Sequence, residues 1–222
     1  MTNTLITISN PRSPIAEAYR TLRTNLEFSN LDKSLRALVV TSAGSEEGKS
    51  TTLANLAVTI AQSGKRVILV DADLRRPTQH QIFNLKNNAG LTDMVRDDEV
   101  LKNPPTQETN VPNLDVLTSG QLPPNPAEIL GSKRMSEILA SLLERADMVL
   151  FDAPPVLAVT DAAVLSQKVD GVLLVVSAGK TKRENARKAQ TQLEKINARV
   201  IGAVLNNIKA ESGAQYYYAE SN

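Results

Sequence analysis

The stretch 37–73, ALVVTSAGSEEGKSTTLANLAVTIAQSGKRVILVDAD, constrains this chain more than any other. Two apolar runs, Ala37 to Thr41 and Val67 to Asp71, flank a segment that reads as a helix from Ser50 to Gln62. Ser63-Gly64 ends it, because glycine closes a helix in the left-handed conformation without a Cβ penalty. Both runs are continuously apolar rather than alternating, the pattern of strands covered on both faces. The pattern returns at Met148 to Asp152, Val172 to Ser177 and Val200 to Asn206, and LDVLTSG near 114–120 reads as a sixth strand. Ser132 to Arg145 and Lys182 to Asn197 carry helical spacing of apolar residues. Strands alternating with helices predict an α/β fold, a doubly wound and mostly parallel sheet flanked by helices. One domain over 31–208 is expected, with 1–30 and 209–222 outside it. Asp97 to Asn113, rich in Asp, Asn, Pro and Thr, reads as a loop.

TSAGSEEGKSTT joins the first strand to the first of these helices. It matches a P-loop in which Ala43 replaces the usual first glycine. The backbone N–H groups of such a loop point inward and cradle phosphate oxygens. Gly44, Ser45, Glu46, Glu47, Gly48, Lys49, Ser50 and Thr51 are therefore the candidate nucleotide-binding residues. In this motif the lysine, Lys49, reaches the β- and γ-phosphates and the hydroxyl of Ser50 binds Mg²⁺. Two further motifs end strands: VILVDADLRRP carries Asp71 and Asp73, and MVLFDAPP carries Asp152. In a parallel sheet the strand C-termini share one crevice with the loop, so these carboxylates are expected beside the γ-phosphate. Asn206, with Asn207, follows the last strand as a candidate for reading the adenine edge, since an amide both donates and accepts; a turn role is the alternative.

Composition removes other chemistries. The 222 residues include no cysteine, so neither a disulfide framework nor a thiolate metal site is available. His80 is the single histidine, which argues against a His-rich metal centre and a Ser/His/Asp triad. The formal charge of +1 gives no overall field for non-specific nucleic-acid binding, and no nucleic-acid partner is expected. The N-terminal residues lack a signal-peptide pattern, and no run approaches the ~20 apolar residues of a membrane span. A soluble, cytoplasmic chain is expected.

Together the P-loop, VDADLRRP and LFDAPP resemble the Walker A, A′ and B motifs of the bacterial tyrosine kinases of capsular and exopolysaccharide synthesis. TSGQLPPNPAEIL at 118–130 and VTDAAVL at 159–165 are similar to further segments of that family, and the likeness spans nearly the whole chain. The resemblance implies a protein-tyrosine kinase with a Mg·ATP site built from Lys49, Ser50, Asp73 and Asp152. It implies Asp71 as the base for the tyrosyl hydroxyl, although the residues alone allow Asp71 and Asp73 to exchange roles. Family members without a fused membrane domain imply a separate transmembrane activator of the polysaccharide co-polymerase type, recruitment to the inner face of the plasma membrane, and a cognate tyrosine phosphatase. The related MinD/ParA ATPases carry an extra P-loop lysine where this chain has Gly44, which counts against that alternative. A non-catalytic, nucleotide-dependent scaffold of polysaccharide export is a third class.

Near the N-terminus, SPIAEAYRTLRTNLEF reads as a helix capped by Ser13 with Pro14 in its first position. Ile15, Tyr19, Leu22 and Leu26 form one stripe, expected to pack, which makes Tyr19 a core anchor rather than a phosphate acceptor. Glu17, Arg20 and Arg23 lie on a separate arc. Their pattern alone suits a solvated face with intrahelical pairs worth ~0.2–0.5 kcal/mol each. The resemblance implies instead a subunit contact in a ring-shaped homo-oligomer. Three of the four tyrosines, Tyr216, Tyr217 and Tyr218, stand together in the final segment. An extended chain from Ile208 to Tyr217 spans about 30 Å, enough to reach its own site or a neighbour's. They are the candidate phospho-acceptors, and the resemblance implies transfer between subunits.

Overall fold

The computed structural model describes residues 5–29 and 35–208. Two helices, α1 (Ile6–Ser9) and α2 (Pro14–Phe28), precede the first strand, β1 (Ala37–Ser42). The chain continues through α3 (Lys49–Gln62), β2 (Val67–Asp71), α4 (Gln79–Ile82), α5 (Leu91–Arg96), α6 (Asp98–Lys102), β3 (Gln107–Glu108) and β4 (Leu114–Leu117). Then follow α7 (Pro126–Gly131), α8 (Lys133–Arg145), β5 (Met148–Asp152), α9 (Asp161–Ser166), β6 (Gly171–Ser177), α10 (Arg183–Lys195) and β7 (Val200–Asn206). Among the described residues the strands form one seven-stranded sheet in the order β3-β4-β2-β5-β1-β6-β7. Every pairing is parallel except the antiparallel β3–β4 edge.

The continuously apolar strands are explained by two cores, one on each face of the sheet. Successive strand residues point to opposite faces. Val39, Val70, Val149, Phe151 and Leu174 enter one core, with Met135, Ile138 and Leu142 of α8. Leu38, Val40, Leu69, Leu150 and Leu173 enter the other, with Leu53, Leu56, Val58 and Ile60 of α3. Leu5 and Leu26, the latter in α2, join that second core. Thr7 anchors α1 to α3: its N–H and hydroxyl donate to Asn55 Oδ1 at 3.1 and 2.9 Å. Helix α2 starts as expected, with Pro14 at its first turn and the Ser13 side chain accepting from the Ala16 N–H at 3.1 Å.

Two expectations change. The span Asp97 to Asn113 is not all loop: it holds α6 and the short strand β3. Asp97 starts α6 by accepting the Glu99 N–H at 2.8 Å, a cap that an Asp/Asn-rich stretch conceals among turn residues. The stripe on α2 is only partly packed. Leu26 is buried, but Ile15 is 58% exposed, and at its end of the helix Ala16 is the residue that packs.

Candidate active site

Register places the acidic residues before any side-chain argument. In the sheet, β5 lies between β1 and β2; Asp152 stands opposite Asp71 of β2 and opposite Val40 of β1. The loop after β1, the turn after β2 and the end of β5 therefore meet at one edge. This is also where connections diverge, β1 leading to β2 on one side and β6 lying on the other. In open α/β sheets such a switch point is where ligands bind.

The loop 43–48 turns through two left-handed residues, Glu46 at φ 57° and Gly48 at φ 85°. Gly48 is required twice. Its φ disfavours a side chain, and a Cβ there would lie 2.1 Å from Asn206 Nδ2. Asn206 is where β7 touches the loop, its amide donating to the Glu47 carbonyl at 3.1 Å. Asn207 donates instead to Ser177 Oγ at 2.9 Å. Glu47 turns its buried carboxylate inward, accepting the Ala43 N–H at 3.1 Å and the Thr181 hydroxyl at 2.6 Å. Lys180 reaches the Glu46 carbonyl and carboxylate at 3.0 and 3.1 Å. The β6–α10 turn thus braces the loop from outside.

Lys49 opens α3, and its ammonium sits 2.9 Å from both Asp73 Oδ2 and Asp152 Oδ1, and 3.2 Å from Ser50 Oγ. Burial pulls its pKa down, but Asp152 and then Asp73 outweigh that and hold the ammonium above its ordinary value. The lysine is therefore charged. Asp73 is fixed by the Arg76 N–H, which donates to its Oδ1 at 3.0 Å.

Asp71 is fully buried. Its Oδ2 accepts the N–H groups of Thr78 and Gln79 at 2.9 and 2.8 Å, while Oδ1 has no partner. Burial, then the charge of Asp152, raises its pKa well above the usual carboxylate range, against the pull of the Gln79 N–H and Lys49.

A cavity of about 440 Å³ opens at this edge, lined by Ser45 to Thr51 together with Asp73, Arg76, Thr78 and Pro155 among others. Of the residues predicted for the site, the loop from Ser45, Lys49, Ser50 and Asp73 line it, and fully buried Asp152 joins them through Lys49. Gly44 lies just behind the cavity, its carbonyl accepting Ser42 Oγ at 2.7 Å, and Asp71 lies behind Asp73. Glu17, Arg20 and Arg23 stand apart on α2. Arg20 pairs with Glu17 at 2.6 Å and donates to the Pro11 carbonyl, and Arg23 donates to the Thr59 carbonyl at 3.0 Å. Tyr216, Tyr217 and Tyr218 lie outside the described residues.

Gln79 escaped the sequence reading. Wholly buried, it donates from Nε2 to Asp152 Oδ2 at 2.8 Å and from its backbone to Asp71, so one residue orients two carboxylates. Thr181 and Lys180 were also missed, being more than a hundred residues from the loop they brace. Arg75 belonged to a recognised motif without an assigned role. It grips buried Asp161 with two nitrogens, at 2.9 and 3.0 Å, tying the turn after β2 to α9.

Hard oxygen donors on Ser50, Asp73 and Asp152 suit Mg²⁺, which is commonly held by one or two carboxylates plus phosphate oxygens. Among the described residues no cluster of three or more His, Cys, Asp or Glu forms a self-sufficient metal cage.

The family model ParA, described as an NUBPL iron-transfer P-loop NTPase, matches residues 34–215. Tyrosine-protein kinase YwqD of Bacillus subtilis (strain 168) is 46% identical over 218 residues, covering 98% of this chain and 92% of the relative. The solved kinase domain of the Escherichia coli tyrosine kinase ETK superposes with a TM-score of 0.88 at 35% identity, over 94% of this chain and 82% of that one. The septum site-determining protein MinD of Pyrococcus horikoshii OT3, solved with Mg-ADP, shares the fold at a TM-score of 0.64 and 23% identity, over 77% of this chain and 69% of that one. The strand-end carboxylates around Lys49, and relatives at this identity over nearly the full chain, place the protein in the bacterial tyrosine-protein kinases, within the ParA-type P-loop NTPases.

Proposed function

We propose that this chain transfers the γ-phosphate of Mg·ATP to tyrosines of its own kind, Tyr216, Tyr217 and Tyr218, and that it does so in the service of capsular or exopolysaccharide synthesis. The observation that carries the reading is the Lys49 ammonium held 2.9 Å from both Asp73 and Asp152 at the mouth of the phosphate loop. Phosphoryl transfer asks mainly for positioning and for charge stabilisation on the transferring group. The loop N–H groups hold the phosphates, and Lys49 exchanges its carboxylate partners for their oxygens. Ser50, Asp73 and Asp152 would hold Mg²⁺, whose charge offsets that of the β- and γ-phosphates. Asn206, which β7 places against the loop, would read the base.

The tyrosyl oxygen bonds to the γ-phosphorus as the bond to the β-phosphate bridging oxygen breaks, releasing ADP. The phenolic proton passes to Asp71, whose Oδ1 has no other partner and whose burial makes it a stronger base than an ordinary carboxylate. Tyrosine has a pKa of about 10, so it needs such an acceptor at neutral pH. Asp73 lines the cavity and faces Lys49, which supports Asp73 on the metal side, and the free Oδ1 of Asp71 supports Asp71 as the base.

Transfer between subunits of a ring, with Glu17, Arg20 and Arg23 at the contact, completes the proposal. So do a separate transmembrane activator, which would bring the chain to the inner membrane face, and a phosphatase that resets it. No helix among the described residues is long and apolar enough to cross a membrane.

Intact-mass measurement after incubation with Mg·ATP tests the core of this. The parent is expected to gain one to three phosphates; Asp71→Asn and the Tyr216/Tyr217/Tyr218→Phe variant are expected to gain none. Phosphate released with no gain in protein mass would sink the kinase reading in favour of an ATPase.

A further inference from the structure

Five charged residues line the phosphate cavity, and four of them are already engaged. Lys49 lies 2.9 Å from both Asp73 and Asp152, and Glu46 pairs with Lys180 at 3.1 Å. Glu47 turns inward to the Ala43 N–H and the Thr181 hydroxyl. Arg76 is the exception. It lines the same cavity and is exposed, and its guanidinium has no hydrogen-bond or ion-pair partner among the described residues.

An exposed arginine is ordinarily a solvated surface charge. Two observations set Arg76 apart. The first is its neighbour: Arg75 holds buried Asp161 at 2.9 and 3.0 Å, so the two arginines of VDADLRRP divide, one gripping α9 and the other lining the cavity. The second is its backbone. The Arg76 N–H donates to Asp73 Oδ1 at 3.0 Å, and two residues on the Thr78 N–H donates to Asp71 Oδ2 at 2.9 Å. The free side chain therefore springs from a turn tied to both strand-end carboxylates.

Phosphoryl transfer has a place for such a cation. Charge spreads over the equatorial oxygens of the transferring group, and an arginine set against them, in the same chain or from a partner, is worth about 10³–10⁵ in rate. Residues 43–48 hold two glutamates and no lysine or arginine, so the loop itself supplies no second positive charge. The Lys49 ammonium is countered by two aspartates. A guanidinium stays charged at any working pH, and its planar fork of donors matches phosphate oxygens.

We propose that Arg76 is a further catalytic residue, whose guanidinium binds the γ-phosphoryl oxygens and stabilises their charge as the group leaves ADP. The γ-phosphorus bonds to the acceptor oxygen as its bond to the bridging oxygen breaks; Arg76 forms no covalent bond and moves no proton. The inference rests on the site being one of phosphoryl transfer, and it holds whether tyrosine or water receives the group.

The full-length Arg76→Ala protein is expected to keep the parent's unfolding temperature, since the side chain has no contact partner to lose. It is expected to bind Mg·ADP within about threefold of the parent, read by calorimetry. Its affinity for Mg·ADP with aluminium fluoride, a mimic of the transferring group, is expected to fall about a hundredfold or more. Single-turnover transfer from Mg·ATP is expected to slow about 10³-fold. Arg76→Lys keeps the charge without the fork and is expected to recover part of both losses. A parent that gains no affinity for ADP from aluminium fluoride overturns the proposal. Equal losses for ADP and for the fluoride complex make Arg76 a ground-state contact and overturn it too. Intact fluoride binding, with a loss confined to the KM of an added tyrosine peptide, assigns Arg76 to the acceptor instead. Inorganic phosphate released with no gain in protein mass would end the kinase reading, while the fluoride complex still decides the role of Arg76.

Discussion

Single residues at the site are held by more partners than their motifs name, and each partner makes a prediction. Gly48→Ala meets both a left-handed backbone and the Asn206 amide at 2.1 Å. It is expected to lower stability by about 1–3 kcal/mol, read by thermal unfolding, and to weaken nucleotide binding at least tenfold, read by calorimetry. Gln79→Leu leaves Asp152 Oδ2 without its 2.8 Å donor while the backbone N–H to Asp71 remains. A buried acceptor stripped this way costs about 1–3 kcal/mol. The turnover of tail phosphorylation should fall more than ATP affinity, because the amide orients a carboxylate and touches no phosphate; equal losses would make Gln79 merely structural. Asp71→Asn is expected to abolish transfer yet stabilise the nucleotide-free protein at neutral pH. A carboxyl with a raised folded pKa favours the fold only while protonated, and that contribution is lost as pH rises through the folded value. A neutral amide removes that loss, and denaturant unfolding of the two chains at pH 7 checks the sign.

Helix α2 separates packing from assembly. Arg23 is bound to the Thr59 carbonyl on α3, so its removal disturbs the fold as well as any contact it makes outward. Arg20 is the cleaner probe. Its ion pair with Glu17 lies at the surface, 32% and 45% exposed, and such pairs contribute about 0–1 kcal/mol. Arg20→Ala is therefore expected to leave the unfolding temperature almost unchanged while dissociating the proposed ring in sedimentation velocity. An unchanged sedimentation profile would remove Arg20 from the proposed subunit contact. A similar logic holds between β2 and α9, where Arg75 chelates Asp161. The VTDAAVL segment containing Asp161 was recognisable as a string, but its role as an anchor for the turn bearing Asp73 was not, since Arg75 and Asp161 lie 86 positions apart.

Across the whole molecule, the two-faced sheet sets stability. Phe151 is fully buried in the core on the α8 side, immediately before Asp152. Phe151→Ala is expected to cost about 3–5 kcal/mol and to lower the melting temperature by ~6–20 °C at this chain length. Most strand positions were legible in the sequence, because a strand covered on both faces needs an unbroken apolar run. The phosphate loop was legible because its chemistry is carried by neighbours in the chain. The Asp97–Asn113 span was misread because caps and turns draw on the same residue types. The placement of β5 between β1 and β2, the brace from Thr181 and Lys180, and the grip of Gln79 on two carboxylates were invisible for a different reason: each joins residues far apart in sequence. By itself the sequence determined the α/β class, the loop that cradles phosphate and the three aspartates at strand ends, all products of local pattern. Only the tertiary structure decided which aspartate faces the cavity and which lies buried behind it, because strand order and register, which turn parallel runs into one shared edge, are properties of pairing between distant segments.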